Sequence, residues 1–198
     1  LQVGSAVYLS ADAGSVQAHL YNLTLGGTDA SNYRLNPNSV DVPAEITKRP
    51  VTIVGIGAEN KVYDRTTDAT ATATASARID NIAAGDSAKM TYDMSHCKAT
   101  FSDKDVGPGK LVTFSGFALK NTGSEDVAKN YVLTQPANAT ADITAKSVSL
   151  LDFQTTTWER VYDGTKDAVV RIDVLAGRTP FVAGDDVQLT TTGEQWDT

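Results

Sequence analysis

The side chains able to do chemistry are few, and their spacing limits what they can do. His19 and His96 are the two histidines, and no single unit of the chain described below carries both, so they build no His-rich metal cluster. Asp103 and Asp105, with Asp93, offer hard oxygen donors of the kind Ca²⁺ takes, but no Asp-x-Asp-x-Asp-Gly loop orders them. Turn chemistry is the expected role. Asp64 and Asp163 each follow a tyrosine. As general acids or bases they would need a second polar partner in a cleft, and the sequence supplies none; each is expected to accept backbone N–H bonds in the turn it opens. Tyr63 and Tyr162 are expected to bury their rings and bond through the hydroxyl. Cys97 is the one cysteine. It closes no intrachain disulfide, and on a strand its neighbours His96 and Lys98 face away from it, so it reads as a small apolar residue rather than a reactive thiol. Gly-x-Ser-x-Gly, phosphate-loop and dinucleotide fingerprints are all missing from the sequence. No catalytic, cofactor-binding or metal-ligating residue is assigned, no cofactor is expected, and the expectation is a protein that is not an enzyme.

The elements that position these residues recur. Lys61-Val62-Tyr63-Asp64-Arg65-Thr66-Thr67-Asp68-Ala69 returns as Arg160-Val161-Tyr162-Asp163-Gly164-Thr165-Lys166-Asp167-Ala168. Tyr63 to Tyr162 spans 99 positions, and so does Gly85-Asp86 to Gly184-Asp185. Asn32-Tyr33-Arg34-Leu35 recurs as Asn130-Tyr131-Val132-Leu133, and Ala44-Glu45-Ile46-Thr47-Lys48 as Ala141-Asp142-Ile143-Thr144-Ala145-Lys146. A period near 98 residues matches one small domain. The boundaries that follow are 1–47, the C-terminal half of a repeat; 48–146, one complete repeat; and 147–198, the N-terminal half of another. The chain thus reads as a piece of something longer.

The order of these motifs resembles the YDG-type repeats, relatives of the MBG bacterial immunoglobulin-like domains found in tandem in filamentous-haemagglutinin-like surface adhesins. The residues carrying the resemblance are Tyr162 to Thr165, the Gly-Asp pairs, Ala99 to Gly107, the Asn-Tyr-x-Leu pairs and the Ile-Thr junctions. It implies an all-β fold of tandem Ig-like β-sandwich repeats, extracellular on a bacterial surface or secreted, acting as a stalk or spacer. The implied partners are neighbouring repeats, with a host protein or glycan as a further partner. Arg65 departs from the pattern where the family prefers Gly. If that position needs a positive φ, Arg costs about 1 kcal/mol there, and the first Tyr-Asp turn is expected to be reshaped. The resemblance also implies two devices of bacterial Ig-like domains: calcium rigidification, disfavoured because Asp12 alone echoes the Asp103/Asp105 pair, and a Lys–Asn isopeptide from Lys61 or Lys146 to Asn130, for which the sequence identifies no buried carboxylate. The alternative function is a glycan- or protein-binding module using exposed aromatics, for which Trp158, Tyr162 and Trp196 are the candidates; Trp158 is expected first as core or interdomain filler.

Composition narrows the classes further. Hydrophobic residues at 41% and charged residues at 21% are ordinary globular usage. A net charge of -7 and a pI near 4.7 argue against a phosphate-backbone partner, which needs clustered Lys and Arg. No run of 18 apolar residues is present, so no membrane insertion is expected within this segment.

Period-two patterns place the strands. Val16 to Leu20, Leu23 to Leu25, Asn32 to Leu35, Pro50 to Val54, Ala88 to Tyr92, Cys97 to Phe101, Leu111 to Phe114 and Ala118 to Asn121 read as strands, with Pro108-Gly109 as a turn. So does Ser147 to Leu151, and a strand holding Trp196 is expected after Val187-Gln188-Leu189. Tyr33 and Leu35 read as core anchors, as do Val51, Ile53 and Ile56, with a bulge or bend near Gly55 and Gly57. Asp68 to Ala77 alternates Ala and Thr, which predicts a strand with alanines inward.

Overall fold

The computed structural model describes residues 5–157, 159, 161–166, 170–187 and 189. It is all-β, with several sheets and, among the described residues, no α-helix. In the first segment, β1 (Ser5–Tyr8), β2 (Gly14–Tyr21) and β3 (Val40–Ile46) form an antiparallel sheet in that order. The central segment holds β4 (Arg49–Ala58), β5 (Lys61–Val62), β6 (Asp68–Ala69), β7 (Ala71–Asp80), β8 (Met90–Asp93), β9 (Lys98–Phe101), β10 (Gly107–Ser115), β11 (Ala118–Asn121), β12 (Tyr131–Thr134) and β13 (Ala139–Thr144). In the last segment β14 (Phe153–Thr157) pairs antiparallel with β15 (Val170–Val174).

Three sheets build the central segment: a five-stranded one ordered β5-β13-β10-β9-β6, a three-stranded one ordered β12-β4-β7, and the β11-β8 pair. The β12-β4 and β13-β5 pairings are parallel. β4 gives this segment its length. Arg49 at its start pairs with Tyr131, whereas Lys61, three residues past its end, pairs with Ile143. Inward residues of the pleat bring the sheets together: Ile53 of β4 meets Ala99 and Phe101 of β9, Val112 and Phe114 of β10, and Ala141 and Ile143 of β13. A second cluster joins Val51, Met90, Val127 and Tyr131, and Ile79 and Leu133 pack against both. Each large apolar side chain so buried stabilises by about 1.5–3 kcal/mol.

The bend expected near Gly55 is a register break in the β4–β7 pairing between Val54 and Ile56. Gly55 has φ 78, and a Cβ there would lie 2.7 Å from the Ala77 backbone nitrogen, so the two strands cross too closely for a side chain. This break also changes the Ala/Thr row. Ala71 and Ala77 are half-buried as expected, but Ala73 and Ala75 stand exposed beside Thr74 and Ser76, where the strand bends away from the core.

Several expected elements take another form. Leu23 to Leu25 holds one isolated bridge at Thr24, and Asn32-Tyr33-Arg34-Leu35 runs from the 3₁₀ turn Ala30–Asn32 into irregular chain. Tyr33 is 73% exposed and is not a core anchor. None of the described residues 5–46 is buried, because the strand that covers the equivalent tyrosine in the central segment, β4, has no counterpart among them. Pro108 and Gly109 do not precede the strand but lie within β10, as an irregularity in its pairing with β13. The lead-in Ser147 to Leu151 passes into the 3₁₀ turn Leu150–Asp152, and the strand follows it as β14. The strand expected to hold Trp196, after Val187-Gln188-Leu189, lies outside the described residues. No helix among the described residues is long and apolar enough to cross a membrane.

Candidate functional site: the Tyr-Asp turn and the two ends of the central segment

β5 brings the Tyr-Asp turn to one end of the central segment. Tyr63 N–H donates to the Thr144 carbonyl at 2.8 Å, tying the turn to β13. The Asp64 carboxylate accepts from the Thr66 backbone N–H at 2.9 Å and from its hydroxyl at 2.8 Å. Lys61 closes the turn from below: its Nζ donates to Asp64 at 2.8 Å and to the Thr66 carbonyl at 2.8 Å, and sits 5.5 Å from the centre of the Phe101 ring. The lysine bond first, and the Thr66 amide after it, hold the Asp64 carboxyl down at about 2.

The same turn forms in the second copy, where Asp163 accepts from the Thr165 N–H at 2.9 Å and its hydroxyl at 3.0 Å. Arg65 adopts φ 70 against φ 80 at Gly164. The substitution therefore does not reshape the turn; arginine accepts the left-handed conformation, at a cost of about 1 kcal/mol. What differs is how the arginine side chain is used. Arg65 Nη1 donates to the Ala183 carbonyl at 2.9 Å, and Arg65 Nε stands 3.5 Å from Asp185 Oδ1. Tyr63 hydroxyl donates to Asp185 at 3.0 Å. Partial burial first, then the Asp185 carboxylate, raises the Tyr63 pKa above its ordinary value. Beside these bonds Tyr63 and Val106 line an apolar cavity with Val148, Pro180, Phe181 and Val187.

At the opposite end of β4 the first segment meets the central one. Asn130 accepts from the Ala13 N–H at 2.8 Å and donates to Asp12 at 3.0 Å, and Lys129 pairs with Asp12 at 2.9 Å. The Lys129 bond, then Asn130, lowers the Asp12 pKa. Next to Asn130, Tyr131 is 5% exposed and its hydroxyl donates to Asp86 of the Gly85-Asp86 turn at 2.7 Å while accepting from the Ala83 N–H at 3.2 Å. Burial, then Asp86, raises its pKa.

The remaining sequence candidates fall elsewhere. Asp103 accepts from the Asp105 N–H at 2.9 Å and pairs with Lys110, Asp105 pairs with Lys104, and Asp93 accepts from the Ser95 N–H at 2.8 Å: each closes a turn or meets a cation. Among the described residues no three His, Cys, Asp or Glu side chains gather to hold a metal. His19 pairs with Asp41, whereas His96 bonds Ser95. Cys97 precedes β9, half-buried against the larger core cluster. The isopeptide pairing is not assembled: Lys61 and Lys146 both stand at the far end of β4, beside Tyr63, and Asn130 at its near end. Tyr63 is half-buried, but Tyr162 is 91% exposed and does not bury its ring. Trp158 and Trp196 lie outside the described residues.

Sequence reasoning took the Tyr-Asp and Gly-Asp motifs as separate landmarks and missed that Tyr63 reaches Asp185. No sequence signal marks that contact: the two motifs share a spacing of 99 because both follow the repeat, whatever they touch. The chain matches no curated protein and no solved structure. Residues 47–141, which hold the first Tyr-Asp turn, the Gly85-Asp86 turn and Tyr131, match the family model of the YDG domain.

Proposed function

We propose that residues 48–146 are one Ig-like β-sandwich repeat, flanked by the half-repeats 1–47 and 147–198, and that the chain is a segment of a non-enzymatic stalk or spacer in a large bacterial surface or secreted adhesin. The observation that carries this reading is the position of the polar contacts. The central segment holds nearly all the buried core, and it is bonded to the preceding segment at Asn130 and to the following one at Tyr63 and Arg65, at opposite ends of β4. Load entering at one end leaves at the other through a strand about 30 Å long. An extracellular setting accords with the net charge of -7, which keeps crowded surface proteins mutually repelling.

Small-angle X-ray scattering of the 198-residue chain tests the reading. The expected particle is elongated, with a maximum dimension well beyond that of one compact domain; a near-spherical profile overturns it. A second reading, a glycan- or host-protein-binding module, draws support from the exposed Tyr162 and its neighbour Val161, 91% and 89% accessible. Glycan-array screening separates the two: the spacer gives no specific signal, whereas binding abolished by Tyr162→Ala would establish the module.

A further inference from the structure

Two Gly-Asp turns, 99 positions apart, have the same backbone. Asp86 N–H bonds the Ala83 carbonyl at 3.2 Å and Asp185 N–H the Val182 carbonyl at 3.1 Å, with φ 92 at Gly85 and φ 87 at Gly184. Each carboxylate takes a tyrosine hydroxyl, but the tyrosines differ in origin. Asp86 receives Tyr131 from its own segment on Oδ2; Asp185 receives Tyr63 from the preceding segment on Oδ1. A carboxylate has two oxygens and about four acceptor sites, enough for a tyrosine from each side.

We propose that the Gly-Asp turn is the receptor for the Tyr-Asp turn of the preceding repeat, its aspartate shared between a tyrosine that closes the repeat's own core and a tyrosine that fastens the neighbour. The inference rests on the tandem-repeat reading above and supplies its joint. Arg65 belongs to this joint. Its Nη1 lies 1.7 Å from where a Gly184 Cβ would stand, so the guanidinium occupies the space a side chain at 184 would take, and it bonds the carbonyl just before that glycine. Arginine at a left-handed turn position is locally unfavourable. At the joint its side chain gains two partners that offset this cost, the Ala183 carbonyl and the Asp185 carboxylate. The apolar cavity between Tyr63, Val106 and Phe181 gives the docked faces a shared lining that neither segment closes alone.

The test uses the whole 198-residue chain and limited trypsin digestion resolved by mass spectrometry at Lys146, which lines the junction. Tyr63→Phe keeps the ring and removes the hydroxyl; Asp185→Asn removes the charge. Each is expected to speed cleavage at Lys146 by about tenfold or more, the range for a hydrogen bond to a charged group, and the double variant no further than Asp185→Asn alone, since Asp185→Asn already breaks the bond that Tyr63→Phe removes and also loses the Arg65 ion pair. Arg65→Gly gives opposite signs: it relieves the turn and raises the melting midpoint of the central segment, yet it also speeds cleavage at Lys146. Unchanged cleavage in Tyr63→Phe and Arg65→Gly, or effects that multiply in the double variant, would overturn the proposal. Should Asp185→Asn misfold the last segment, the other two variants decide alone. The outcomes separate from those of the spacer reading: unaltered cleavage removes the joint while an elongated particle stands, and a compact particle with a tight junction does the reverse.

Discussion

Tyr33 and Tyr131 occupy the same place in the same Asn-Tyr-x-Leu motif, and one is 73% exposed while the other is 5% exposed. Both follow a three-residue 3₁₀ turn and both are extended at the tyrosine, with φ -127 and -121. The local conformation is thus written in the motif. Burial is not. Tyr131 heads β12, which pairs in parallel with β4, and Val51, Met90 and Val127 close over the ring. Among residues 5–46 there is a three-stranded sheet equivalent to β9, β10 and β13, but no strand corresponding to β4 to cover it. The difference teaches that a sheet of the right register has no core until the second layer arrives, because burial needs two faces.

That contrast is broken most sharply by Tyr131→Ala. In a polypeptide of residues 48–146 it should cost about 3 kcal/mol or more in urea unfolding, whereas Tyr33→Ala in the full chain should fall within about 0.5 kcal/mol. Equal effects would show that the first segment buries its tyrosine after all. Next in size is Gly55→Ala, expected to lose about 2 kcal/mol, from the left-handed φ and the close Ala77 backbone of a strand crossing that only the complete segment has. A neutral outcome in the same unfolding assay would mean that the two strands can separate there.

Acid sharpens the comparison between the two Tyr-Asp turns. Asp64 has a folded pKa depressed below 3.8, to about 2, by Lys61 and Thr66. Its contribution is therefore present above pH 3.8 and is lost as pH falls toward 2. Asp64 is half-exposed, so the effect is small. Asp163 is also depressed, chiefly by the Thr165 amide. Asp64→Asn should flatten the acid limb of the central segment's stability curve between pH 4 and 2, as followed by circular dichroism; an unaltered limb would place the acid sensitivity elsewhere. Smallest is the effect of calcium. With Asp103 bonded to Lys110 and the Asp105 amide, millimolar calcium or a chelator should leave the melting midpoint unchanged. Saturation at 100 times a dissociation constant would add about 2.7 kcal/mol and several degrees, so a rise abolished by Asp105→Asn would be plain to see.

Much of this architecture was legible in the sequence because it is local. Alternation at Val51 and Ile53 marks an inward stripe, Gly55 marks the break, and an aspartate followed two positions later by a threonine closes its own turn whether the residue between is Arg65 or Gly164. Those outcomes depend on the pleat and on bonds spanning two residues, which neighbouring positions alone determine. Tertiary structure decided the rest. Tyr33 and Tyr162 are exposed where Tyr131 is buried, since the covering layer comes from residues far along the chain. Ala73 and Ala75 turn outward because β7 bends opposite Gly55. The partner of the Arg65 side chain lies 118 positions away, at the Ala183 carbonyl. A contact of that separation leaves no period in the sequence; only the folded arrangement brings its two ends within a hydrogen bond.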